Sequence, residues 1–296
     1  MNVENLIIDG TNIEYRTYFI ARKEKKTSES GLRIELVDKF LESFRRLVKQ
    51  FDPNNIYVCW DKRIDYKSKN FRQILLDDQY KAGRVKHEDI SEMYEQEELL
   101  HIMLTLFGAK NLFPNKLEAD DVASWLTTKL NGETVIVSVD KDYLQLVQPH
   151  VSIYNLKTLI TYNNFEDNIG MLPEHHLFYK AIKGDSSDNI PGVKGYGEVK
   201  STRLAKDWSR NVLTKEDNEI VSRNLTLMDL AEGFKKEEGE EESYTEQFNA
   251  HKGTNGNIKK FLRAVEVLGL SEEQHISEWK SIFRRNTLVD LINSLE

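Results

Sequence analysis

Acidic residues in this sequence fall into short, separated clusters whose types suit the binding of hard cations. Asp9 closes the apolar run Leu6 to Ile8, Asp61 follows IYVCW, and Asp140 follows VIVSV. Further carboxylates stand in LEADDV (Glu118, Asp120, Asp121), VDKDY (Asp140, Asp142) and GDSSDN (Asp185, Asp188). Hydrolysis of a phosphodiester at neutral pH needs a nucleophilic hydroxide and relief of charge on the phosphate and the leaving oxygen. Two hard cations about 4 Å apart, held by oxygen ligands, supply both. A site rich in Asp and Glu, with no Cys or His cluster nearby, points to Mg²⁺ or Mn²⁺ and away from zinc.

Spacing sets conditions on how these acids converge. Glu118 and Asp121 are three apart and share a helix face, whereas Asp120 points elsewhere if the helix already includes it. A helix starting nearer Asp120 would instead offer the carboxylates its amide-rich first turn. Asp140 and Asp142 lie on one side only if the chain stays extended there. Taken singly, these motifs also read as an acid-decorated helix start or a solvated turn, and a DxD after a strand occurs in aspartate-nucleophile phosphatases. That rival leaves Glu118, Asp120, Asp185 and Asp188 unused.

The elements that must position these residues alternate through the first half. NLIID, IYVCW, AKNLF and TVIVSV read as strands; Leu32 to Phe51, Glu88 to Phe107 and Glu118 to Leu130 read as helices. The fold class is therefore α/β, with a mostly parallel central sheet flanked by helices, and its ligand crevice lies at the carboxyl ends of the strands. From Leu172 onward short helical segments dominate. They are interrupted by IPGVKGYG (Ile190 to Gly197), read as a hairpin between helices that grips a duplex backbone without reading bases, or as a plain glycine turn. The acidic stretch Glu232 to Glu246 reads as a mobile surface insertion.

Composition sets the class. A chain of 296 residues with 39% hydrophobic residues can bury a large core, and no apolar run approaches the roughly 18 residues of a membrane span. The one cysteine, Cys59, excludes an internal disulfide and fits a reducing compartment. A net charge of −8 argues against a nucleic-acid partner unless the acids hold cations; basic residues gather in Arg16 to Lys26 and Lys62 to Lys86.

In IIDGTNIEYRTYF, VCWDKR, YKAGR, LEADDVAS, VSVDKDYLQLV and KGDSSDNIPGVKGYGEVKSTRLA, in that order over roughly residues 5 to 230, the sequence resembles the 5′-nuclease superfamily. That group comprises bacteriophage 5′ to 3′ exonucleases, the 5′-nuclease domain of bacterial DNA polymerase I, and flap endonucleases. The resemblance implies a first metal site from Asp9, Asp61, Glu118 and Asp120, and a second built or bridged by Asp121, Asp140, Asp142, Asp185 and Asp188. Lys81 and Arg84 would steer the scissile phosphate and Tyr80 would be a stacking platform for a base near the cut. Residues of about Val85 to Leu106 would form part of an arch. Lys180 would contact the duplex. Gly192, Val193, Gly195 and Gly197 would belong to a helix-hairpin-helix, at about 174–208, that binds backbone phosphate through K⁺. Tyr196 departs from the small aliphatic residue usual there.

The implied organisation is a nuclease core over 1–170, with its arch at about 80–106, and a helical DNA-binding part over 171–296. The implied activity is a two-metal 5′ to 3′ exonuclease or flap endonuclease, with RNase H-type primer removal, in DNA replication or repair. Its substrates would be DNA flaps, nicks or ends and RNA/DNA hybrids. The resemblance further implies a stand-alone monomer, in the cytoplasm or a host's, that works with replication proteins. The alternative is a nucleic-acid-binding protein that kept the fold and lost catalysis.

Overall fold

The structure, a computed structural model, describes residues 1–61, 69–77, 79–82, 90–207, 212–250, 256–270 and 275–283. The first half alternates β1 (Asn5–Asp9), α1 (Gly10–Ala21), α2 (Glu35–Phe51), β2 (Asn55–Cys59), α3 (Phe71–Leu75), α4 (Ser91–Phe107), β3 (Lys110–Leu112), α5 (Ala119–Lys129) and β4 (Thr134–Val137). A 3-10 turn (Lys141–Leu146), β5 (Val151–Tyr154) and β6 (Leu159–Ile160) follow. Sheet order is β3-β2-β1-β4-β5-β6, parallel except for β6 against β5. The central strands β1, β2 and β4 carry continuous apolar runs because both faces are buried. Leu6, Ile8, Val58 and Val137 face α2 and α4, while Ile7, Cys59 and Ile136 face α5.

This order fixes where a ligand binds. The chain moves from β1 outward to β2 and β3, then returns to the other side of β1 as β4. A crevice therefore opens at the carboxyl ends of β1 and β4. Asp9 ends β1, and Ser138 to Asp140 leave β4 beside it.

The second half is mainly helical: α6 (Phe165–Ile169), α7 (Pro173–Lys183), α8 (Glu198–Asp207), α9 (Lys215–Met228), α10 (Glu232–Lys236), α11 (Glu240–Ala250) and α12 (Ile258–Leu268). Between α7 and α8, the two-residue strands β7 (Gly184–Asp185) and β8 (Ile190–Pro191) pair antiparallel. Phe178, Ile182, Val221 and Tyr244 join the core on one face of the sheet; Phe261, Val265 and Trp279 join the core on the other.

Two expectations change. The acidic stretch Glu232 to Glu246 is packed helix, not a mobile insertion. Glu237 and Glu240 are buried, where their carboxylates accept from the amides of Phe71 and Asn115, and Tyr244 lies in the core. Of the expected arch, Val85 to Asp89 lie outside the described residues, and the later part is α4. That helix buries Leu100, Met103, Leu104 and Phe107 against α2 and α12, which makes it a core helix.

Candidate metal centre

The first group of acids forms where β1 and β2 end and α5 begins. Asp9 caps α1, accepting from the Asn12 amide at 3.1 Å and from the Ser138 hydroxyl at 2.7 Å. Gly10 permits this: a Cβ there would lie 2.8 Å from Trp60 and Val58, so only glycine lets α1 start so close to β2. Asp61 is held by its own amide, which donates to the Thr11 hydroxyl at 2.7 Å, and its carboxylate accepts from the Ala119 amide at the start of α5 at 2.7 Å. Burial, with Asp61 nearby, pushes the Asp9 carboxyl up to about 7.

Glu118, Asp120 and Asp121 each offer a carboxylate oxygen, all within 4.8 Å of one another. Glu118 accepts from the Tyr80 hydroxyl at 2.8 Å and from the Lys81 ammonium, with an Arg72 nitrogen at 3.6 Å. Burial works against its ionisation, yet Lys81, Arg72 and the Tyr80 bond hold it down at about 2. Burial, then Asp121 and Glu118, push Asp120 well above the usual carboxylate range. Asp121 is fully buried and takes both arms of the Arg72 guanidinium at 2.7 Å each.

The other group gathers the acids after β4 and around the β7–β8 hairpin. Asp140 caps the 3-10 turn, accepting from the Asp142 amide at 2.9 Å, while its own amide donates to Ser138 at 3.1 Å. Ser138 thus joins Asp9 to Asp140. The Lys180 ammonium bridges Asp142 and Asp185, at 3.0 Å from the latter. Despite burial, the Ser187 and Lys180 contacts hold Asp185 at about 2. Asp188 accepts from Tyr80 at 3.3 Å, and its backbone carbonyl accepts from the Lys81 amide at 3.0 Å. Asp120, Asp142, Asp185 and Asp188 line one cavity with Arg72 and Tyr80.

An all-oxygen set of carboxylates, in which Asp9, Asp120 and Asp140 are pushed up while lysine or arginine groups press against Glu118, Asp121, Asp142 and Asp185, is short of positive charge. That chemistry fits hard divalent cations. A sequence model described as the 5′-3′ exonuclease, N-terminal resolvase-like domain matches residues 4–170. The chain belongs to this exonuclease family. Its relatives include a 5′-3′ exonuclease of Mycoplasmopsis pulmonis, 31% identical and covering 74% of this chain and 71% of that protein. A 5′-3′ exonuclease of Bacillus subtilis is 29% identical, with coverages of 80% and 79%. The thermostable DNA polymerase I of Thermus thermophilus is 31% identical, but the match spans 26% of it. In fold, the chain is similar to the T5 5′-exonuclease with zinc bound, at a TM-score of 0.63 and 21% identity over 85% of this chain and all of that one. Among the described residues of this chain, Glu118, Asp120 and Asp121 form an acidic cluster close enough to hold a metal ion.

Placement of the remaining candidates is mixed. Asp120, not Asp121, turns to the cavity, reversing the helix-face expectation. Glu118 has the extended backbone of a cap residue, so the three-residue spacing does not put it and Asp121 on one helical face. Asp140 and Asp142 come together through a tight turn in place of an extended chain. Tyr80 is 8% exposed, its ring packed with Ile190, Leu227 and Met228; it is a buried hydrogen-bond donor to Glu118 and Asp188 and no open platform for a base. Lys180, expected to contact a duplex, is turned inward to the acids. Arg84 lies outside the described residues.

In the hairpin, a Cβ on Gly192 would collide with the Lys183 carbonyl, Gly195 has a left-handed backbone (φ 83°), and Gly197 has open space. The Val193 amide donates to the Ile182 carbonyl at 2.8 Å. Four contributors escaped the sequence reading: Thr11, Arg72, Ser138 and Asn224, the last clamping the Ala181 and Pro191 carbonyls at 2.8 and 2.9 Å. Each acts across a long sequence separation and leaves no local pattern.

Proposed function

We propose that this chain is a structure-specific 5′-nuclease that hydrolyses phosphodiester bonds near the 5′ end of DNA flaps, nicks or ends and of RNA/DNA hybrids, working in replication or repair. The observation that carries the reading is the meeting of acids from separate stretches of chain at the switch point of a sheet belonging to the 5′-3′ exonuclease family. Asp9, Asp61, Glu118 and Asp120 would hold one Mg²⁺; Asp140, Asp142, Asp185 and Asp188 would hold another, with Mn²⁺ substituting. When bound, such cations relieve charge on the scissile phosphate and acidify the attacking water.

The chain's own residues then position and exclude. Ser138 and the α5 amides orient the carboxylates, and Tyr80 closes the rear of the cavity with its ring. Lys81 stands over that ring with its ammonium 4.9 Å from the centroid, paired with Glu118, which it would exchange for a phosphate oxygen. Arg84 belongs to the same proposal. Residues 171–296 would make up the helical DNA-binding part, in which the Gly192 to Gly197 hairpin would hold a K⁺ that supplies positive charge toward duplex backbone.

The test is incubation with a 5′-labelled flap and a nicked duplex, in Mg²⁺ and in EDTA. Product in Mg²⁺ alone is expected; binding that survives chelation with no product at any metal concentration would defeat the reading. Lys81→Ala should lower kcat by about a hundredfold or more while duplex Kd moves less than threefold, because a cation serving the transition state is missed there most. Equal losses in both would make Lys81 a docking residue.

A further inference from the structure

The Arg72–Asp121 pair stands out as a fully buried ion pair at the wall of an ionic site, with every contact satisfied. Arg72 is 2% exposed and Asp121 0%. Both guanidinium arms lie 2.7 Å from the two Asp121 oxygens, and the remaining nitrogen donates to the Leu227 carbonyl at the end of α9 at 2.9 Å. Oδ2 of Asp121 also accepts from the Glu118 amide at 3.1 Å. On the other side, a Cβ on Gly233 of α10 would lie 2.8 Å from Oδ1, so that oxygen is covered by backbone. A cation could reach Asp121 only by breaking the fork. The neighbouring Asp120 meanwhile lines the cavity with Asp142, Asp185 and Asp188.

Resting on the nuclease reading above, we propose that Arg72 is a positioning residue of the metal centre that acts through Asp121, and that Asp121 is its partner and not a cation ligand. The fork pins the start of α5 from three sides: α3 supplies Arg72, α9 its carbonyl, and α10 the covering glycine. With Asp121 pinned, the Glu118 amide that donates to it is held, and the guanidinium 3.6 Å from the Glu118 carboxylate fixes the direction in which that group is aimed. Residues standing behind metal ligands in this way characteristically change metal affinity by 10- to 100-fold when removed, without changing the number of ions bound. A lysine cannot reproduce the two-pronged contact.

Removing one partner alone would leave a buried charge and endanger folding, so the decisive variant removes both: Arg72→Met with Asp121→Leu, since apolar replacement of a buried pair is often tolerated. Mn²⁺ binding to the free protein is read by electron paramagnetic resonance, beside kcat and KM on a flap substrate. The double variant is expected to melt cooperatively, keep the wild-type Mn²⁺ stoichiometry, bind with 10- to 100-fold weaker affinity and lose kcat with KM little changed. Arg72→Lys should weaken Mn²⁺ binding similarly. Loss of one bound ion, as expected for Asp120→Asn, would overturn the proposal by making Asp121 a ligand. Unchanged Mn²⁺ affinity in a folded double variant would overturn it by reducing the pair to packing. Wild-type protein that binds no Mn²⁺ would defeat the nuclease reading itself, and this inference with it.

Discussion

Lysine ammoniums brace the acids of this site: Lys81 meets Glu118, and Lys180 meets two others. Lys180 is 8% exposed and reaches both Asp142 and Asp185. Removing its ammonium in the absence of metal leaves those carboxylates facing each other. In EDTA, Lys180→Met should lose roughly 1–3 kcal/mol of stability in a urea melt, the cost of stranding charged acceptors. Saturating Mg²⁺ should recover more stability in the variant than it adds to wild type, since bound ligand stabilises in proportion to its affinity. An identical Mg²⁺ gain in both would show that Lys180 does not stand in for a cation. At this scale the carboxylates were legible in the sequence because strand ends and DxD or LEADD spacings expose them. Arg72, Thr11 and Ser138 were not, because a fork or a hydroxyl bond to a partner 49 to 129 residues away follows no period.

Elements differ in how strongly the sequence dictates them. β1, β2 and β4 read as apolar runs and α2 as a clear amphipathic pattern, so their order followed. β5 and β6 escaped notice: Ser152 interrupts the apolar residues of β5, and β6, two residues long, offers too little pattern to separate from a loop. The acidic stretch misled for a different reason. Its charge density suggests a solvated face, yet Tyr244 and Phe248 stand four apart and place one stripe of α11 against Trp125. The β7–β8 hairpin is held by close backbone approach at Gly192 and by the Asn224 clamp. Gly192→Ala should therefore cost about 2 kcal/mol or more and lower duplex affinity, whereas Gly197→Ala, in open space, should change stability by less than about 0.5 kcal/mol. Thermal melts of the two variants check this; equal effects would mean that the close approach is not what holds the hairpin.

Across the whole molecule, the site depends on both halves of the chain. The sheet supplies Asp9, Asp61 and Asp140 at one edge, α5 brings Glu118 and Asp120, and the segment after α7 swings Asp185 and Asp188 over them. Hydrophobic clusters on both sheet faces draw on residues before and after position 170, so the second half is anchored where it can complete the pocket. A chain with formal net charge −8 would approach nucleic acid poorly unless much of this acid were neutralised by bound cations. On the proposed function, the scattered carboxylates form one two-cation centre. Anomalous diffraction from crystals soaked in Mn²⁺ tests it most directly. Two peaks about 4 Å apart are expected, one against Asp9, Asp61, Glu118 and Asp120 and the other against Asp140, Asp142, Asp185 and Asp188. Peaks only at outlying surface acids, with none in this pocket, would contradict it.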